Sequence, residues 1–136
     1  MNMTCAECRM EWAYDVVGEL CATCRNHWIA RFPNYTPHPI TLFLSETVQL
    51  FLPPIGRIAR CEEVVKPAHH LLGIPAVTRE LGPVTGLPEP QEAIFPIVSS
   101  MVQTAATDRT DLVVPWDFVR DASGRILGCR GFVRSE

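Results

Sequence analysis

The chain has 136 residues, 47% of them hydrophobic and 20% charged, and a net charge of −3. The length suits one domain, or one domain with a small appendage, the balance of residues excludes a disordered or fibrous chain, and the net negative charge excludes a global field that draws the protein to nucleic acid or anionic lipid. Apolar runs such as residues 41–44 and 49–52 fall far short of the roughly 20 residues that a membrane-spanning helix needs.

Two Cys-x-x-Cys pairs, Cys5/Cys8 and Cys21/Cys24, come first, with twelve residues between them. The polar N-terminus reaches a cysteine at position 5 and does not read as a secretory signal, so the expected compartment is the cytoplasm. A reducing compartment disfavours structural disulfides and turns paired cysteines towards metal binding. Zinc takes four tetrahedral thiolates, and each Cys-x-x-Cys knuckle brings two sulfurs to one ion. The interval 9–19 has room for a short ribbon, in which Trp12, Tyr14 and Val16 alternate with Ala13, Asp15 and Val17. After the second knuckle, Trp28, Ile29 and Phe32 fall on one side of a helical pattern. Iron, redox chemistry and disulfides are the competing readings of the four cysteines. The expectation is one structural zinc ion on Cys5, Cys8, Cys21 and Cys24, with the coordination sphere closed to substrate.

Pro33, Pro37 and Pro39 interrupt helix and strand alike, and they predict a boundary between a zinc-binding module, residues 1–35, and a β-rich domain, residues 36–136. Residues 40–44 and 48–52 read as a β-hairpin, and residues 57–65 as a further strand. Glycine and proline punctuate residues 71–90, which read as short extended pieces. Residues 93–98 read as a strand, followed by a helix that Ser99 caps and that carries Met101, Val102, Ala105 and Ala106. Residues 112–115 and 118–133 read as strands, with a type I turn over Asp121-Ala-Ser-Gly124.

Candidates for chemistry are sparse. Cys61 and Cys129 lie in strand-like runs and read as small buried hydrophobes, and the adjacent His69 and His70 read as an exposed loop. The Ser99/Ser100 helix start is the best place for a small anionic ligand or nucleotide, yet no glycine-rich loop or lysine accompanies it, so plain capping is the stronger reading. No catalytic residue is assigned. Residues 1–36 carry Arg9, Arg25 and Arg31 against Glu7, Glu11, Asp15 and Glu19, a poor balance for phosphate. Arg120, Arg125, Arg130 and Arg134, against Asp121 and Glu136, form a modest basic patch.

The succession of knuckle, ribbon, knuckle and helix over residues 5–32 resembles the zinc-ribbon and treble-clef group of folds. That resemblance implies the metal-ligand role of Cys5, Cys8, Cys21 and Cys24 and nothing more. From Thr36 onward the chain resembles a group of small, mostly uncharacterised proteins of actinobacteria, other bacteria and phages. It does so through Thr36-Pro-His-Pro-Ile40, Gly82-Pro-Val-Thr-Gly-Leu-Pro-Glu-Pro90, Ile97-Val-Ser-Ser-Met-Val102 and Gly128-Cys-Arg-Gly-Phe132. This second resemblance implies no activity. The expectation is an α+β protein, cytoplasmic and in a phage-infected host if phage-encoded, whose zinc module docks on a protein partner. A nucleic-acid-binding accessory protein and a small nucleotide-binding domain are the alternatives. No membrane partner is expected.

Overall fold

Alternation of apolar and polar side chains sets the main sheet. In Gln49–Leu52, Leu50 and Leu52 are buried while Gln49 and Phe51 face out, and the preceding strand, Ile40–Phe43, buries Leu42. The computed structural model describes residues 2–4, 11–13, 22–46 and 48–135. In chain order the elements are β1 (Asn2–Thr4), β2 (Glu11–Ala13), α1 (Ala22–Arg31), β3 (Ile40–Phe43), β4 (Gln49–Leu52), β5 (Arg60–Pro67), β6 (Val77–Thr85), α2 (Ser100–Ala105), β7 (Val113–Arg120) and β8 (Ile126–Arg134). The fold is α+β and mostly strand, as expected. Among the described residues no helix is long and apolar enough to cross a membrane.

The main sheet runs β4-β3-β8-β7. Its pairings are antiparallel except between β3 and β8, which run parallel with Leu42 opposite Cys129. Both of those residues are buried. Gly128 is required beside this junction, because a Cβ there would sit 2.7 Å from the ring of Phe43 and collide with the Thr41 carbonyl. The expected break between 115 and 118 is absent, since β7 runs on through Pro115. As an edge strand, β7 tolerates a residue without an N–H. The predicted turn after it forms: Asp121 Oδ1 accepts from the Ser123 and Arg125 N–H groups, at 2.9 Å each, and Gly124 takes a positive φ of 88°.

Helix α1 lies on this sheet. Cys24, Leu42, Leu50, Leu52, Ile97, Val113 and Cys129 are buried in one cluster, and Trp28, Ile29 and Phe32 of the α1 region pack against it. Phe32 is the centre of an aromatic stack, with ring centroids 5.9 Å from Trp28, 5.8 Å from Phe95 and 5.2 Å from Phe132. The helical face expected from Trp28, Ile29 and Phe32 is therefore the one that docks on the β-rich part.

Two loop segments take the place of a further strand. Tyr35 N–H donates to the Ile97 carbonyl at 2.9 Å, Ile97 N–H to Pro33 at 2.8 Å and Val98 N–H to Val113 at 2.9 Å. The strand expected over 93–98 is thus corrected to a single bridging residue, Ile97. Ala93 at a φ of 58° and Pro96 without a donor leave no regular ladder on its N-terminal side. Asn34, 1% exposed, ties this region together. Its Nδ2 donates to the carbonyls of His38 at 2.8 Å and Leu52 at 3.0 Å, and its Oδ1 accepts from the Thr36 N–H at 3.0 Å and hydroxyl at 2.6 Å.

After α2, a bidentate ion pair locks the loop. Arg109 Nε and Nη2 donate to the two Asp111 carboxylate oxygens at 2.8 and 2.7 Å, and Nη1 reaches the Pro88 carbonyl at 2.9 Å. The two side chains are only 13% and 14% exposed. The hydrogen bonds from Arg109 hold the Asp111 carboxyl below its ordinary range, against an opposing push from burial. A lowered folded pKa stabilises above the unfolded value, about 3.9, and that stabilisation is lost as pH falls through the folded value. Urea midpoints followed from pH 7 to pH 2 should therefore fall on the acid side. Asp111→Asn should lower the unfolding free energy at neutral pH by about 2 kcal/mol and flatten the acid limb; an unchanged acid limb contradicts the assignment.

Candidate functional site

The sequence-derived metal ligands fall largely where the structure is silent. Cys5, Cys8 and Cys21 lie outside the described residues, and Cys24 lies inside them. Cys24 occupies the first turn of α1 and is buried. A helix N-terminus favours a thiolate, because the unsatisfied N–H groups there carry partial positive charge. One turn further on, the Trp28 Nε1 is buried with no hydrogen-bond partner among the described residues. Strands β1 and β2 pair antiparallel, with Asn2 opposite Ala13 and Thr4 opposite Glu11, and so flank the segment that carries Cys5 and Cys8. The ribbon partner of Trp12 is thus Met3, on the N-terminal side of the first knuckle. Residues 9, 10 and 14–19, the rest of the expected ribbon, lie outside the described residues. Among the described residues no group of three or more metal-ligating side chains comes together.

The other candidates are placed clearly. Cys129 is buried in β8, and burial pushes its thiol above the ordinary range, away from the thiolate a nucleophile needs. Cys61 is the second residue of β5, whereas His69 and His70 lie past its other end, roughly 20 Å away at the rise of an extended strand. The structure therefore does not bring that cysteine and those histidines together. Ser99 caps α2, its hydroxyl accepting from the Val102 N–H at 3.3 Å. The helix behind it has only six residues, too short to present a developed dipole. A cavity of about 270 Å³ beside the cap is lined mainly by Tyr35, Ile58, Ala59, Met101 and Val102, and Arg60 alone among its lining residues is charged. This is poor chemistry for a nucleotide.

The basic patch of the C-terminal hairpin is internally engaged. Arg120 donates to the Gly124 carbonyl at 2.9 Å, Arg125 pairs with Asp121 at 3.8 Å and Arg130 with Asp117 at 3.4 Å. Arg134 donates to the Thr110 carbonyl at 3.0 Å and lies 5.2 Å over the Phe95 ring. Arg125 and Arg130 thus face carboxylates, whereas Arg120 and Arg134 meet backbone carbonyls.

The feature that sequence reading missed is the β5–β6 hairpin. Residues 71–90, read as short pieces, contain the nine-residue strand β6, which pairs with β5 from Arg60 opposite Thr85 to Pro67 opposite Val77. Its base is anchored: Cys61 and Val84 pack against the cluster of Tyr35, Ala59, Val98 and Val102. Gly86 closes the base at a φ of 89°, where a Cβ would lie 2.5 Å from the Ile58 carbonyl. Its far end is different. Leu71 and Ile74 exchange backbone hydrogen bonds of 2.8 and 2.9 Å around Leu72-Gly73. Both central residues take positive φ, 52° and 84°, the requirement of a type I′ turn. Asparagine or aspartate would be the easy residue at the first of these positions; leucine is strained there and gains no burial. Leu72 is fully exposed at 103%, and Leu71, Ile74 and Val77 are exposed around it. The signal for this tip was present as Leu71-Leu-Gly-Ile74 between two β-branched runs.

Comparison with protein-family models, with curated proteins and with solved structures finds no match to this chain.

Proposed function

We propose that this is a small interaction protein in which Cys5, Cys8, Cys21 and Cys24 hold one structural zinc ion and the β5–β6 hairpin presents an apolar tip to a protein partner. One observation carries the docking part of this reading: Leu71, Leu72, Ile74 and Val77 are exposed together at the end of a hairpin whose base is packed. An apolar cluster left in water, with a leucine in a strained turn at its apex, has no folding rationale, whereas a partner's pocket would bury it. The zinc part rests on the paired knuckles, on the buried position of Cys24 in the first turn of α1, and on the β1–β2 pairing around the first knuckle. A zinc-bound thiolate is an acceptor of the kind that the Trp28 N–H lacks among the described residues. Reduced thiolates fit the cytoplasm as the working compartment.

Capture from native lysate of the source cells with the wild-type protein and a Leu72→Asp variant tests the docking part. The variant should fold unchanged, since the side chain touches nothing, and should lose the captured partner. Identical partners for both proteins, or none for either, would sink the reading.

A further inference from the structure

We infer that the outer edge of β5 is an interface with a second copy of this chain, which joins two β5–β6 hairpins into one four-stranded antiparallel sheet. Among the described residues β5 pairs only with β6, so its other edge presents open N–H and C=O groups. Residues 62–67 are all exposed, with Val64 at 43% and Val65 at 53%. Open strand edges template pairing with another chain unless proline, inward charge or a cover blocks them, and the one proline of β5 is its last residue, Pro67.

The side chains decide which copy and which register. In a two-fold antiparallel pairing, residues directly opposite each other lie on the same face of the sheet, so each residue meets itself or a residue an even number of positions away. Pairing centred on Val64 sets Val64 against its own equivalent and Glu62 against the second copy's Lys66, twice by symmetry. One face of the interface then has an apolar pair at its centre and an opposite-charge pair on either side. Pairing centred on Glu63 would oppose two carboxylates. The edge of β6 is a poorer match to itself, since centring on Arg79 or Glu80 opposes like charges and Pro83 removes a donor within the strand, whereas the proline of β5 is at its end. Within one chain Lys66 reaches Glu80 at 3.0 Å and Arg79 reaches Glu63 at 3.5 Å, while Glu62 makes no ion pair among the described residues. Glu62 is the carboxylate left for the second copy, and Lys66, whose pair with Glu80 is solvent-exposed, can turn to it. A pairing this short buries less than a standard interface of about 1,600 Å², so the dimer is concentration-dependent. It directs the two hairpin tips in opposite directions, which makes the docking element proposed above bivalent, although the pairing does not depend on that proposal.

Sedimentation velocity on the full chain tests the interface by charge exchange. The wild type should move from monomer to dimer as concentration rises to about 100 µM, and Glu62→Lys and Lys66→Glu should each weaken dimerisation at least tenfold, to monomer. Mixing the two variants should restore a dimer, because each lysine then faces a glutamate, and the double variant Glu62→Lys/Lys66→Glu should dimerise by itself. Far-UV circular dichroism checks that the variants, altered only at exposed positions, remain folded. A wild type monomeric throughout, single variants as dimeric as the wild type, or a mixture and double variant that both stay monomeric would each overturn the interface.

Discussion

Asn34→Ala is expected to cost about 4 kcal/mol and to lower the thermal midpoint by on the order of 15 °C. Asn34 uses every hydrogen-bonding group of its amide, two donors and one acceptor that serves twice, in a place that water does not reach. Alanine would leave the Leu52 carbonyl without this donor inside the core and remove the tie between the 33–38 segment and the end of β4. Each stranded buried group costs about 1–3 kcal/mol. Thr36→Val removes only one of the partners of Asn34 Oδ1 and should cost roughly 1 kcal/mol. Chemical denaturation of the two variants checks the ratio; a loss below that of Thr36→Val would contradict the role given to Asn34.

Removing the proposed zinc is the other large effect. Four thiolates that hold one ion couple binding to local folding, with an apparent contribution of about 10–16 kcal/mol in small zinc-dependent peptides. Treatment with a strong chelator, or Cys24→Ser, should therefore abolish metal binding and release the N-terminal segment. Cys24 and Trp28 border the core shared with the main sheet, so the loss should also lower the stability of the β-rich part, by about 2 kcal/mol. Metal analysis should find one zinc per wild-type chain and less than a tenth of that in Cys24→Ser; full occupancy in the variant would remove Cys24 from the ligand set.

Local chemistry was legible in the sequence where a residue type has one dominant use. The β3–β4 hairpin, the Ser99 cap, the Asp121–Gly124 turn and the buried cysteine of β8 follow from alternation, capping and turn preferences. What was not legible depended on partners distant in sequence. Whether Pro115 breaks a strand depends on whether β7 lies at an edge, and the run at 93–98 loses its strand because Asn34 and Val113 meet it only at Ile97. The β5–β6 ribbon was hidden because Gly73, Pro75, Gly82 and Pro83 punctuate residues 71–90, although the first two shape the tip and the last two lie at the irregular part of the pairing. The exposed tip was obscured for a related reason: nothing in Leu71-Leu72 as a sequence tells a covered apolar pair from one that, as here, none of the described residues covers.

The central claim is that a protein partner covers the hairpin tip, and a photo-crosslinking amino acid in place of Leu72 tests it most directly. Irradiated in native lysate, the full chain should give one discrete crosslinked protein from position 72 and none from a control at Glu92, an exposed position distant from the tip in the chain. No crosslink at position 72, or the same products from both positions, would contradict the account.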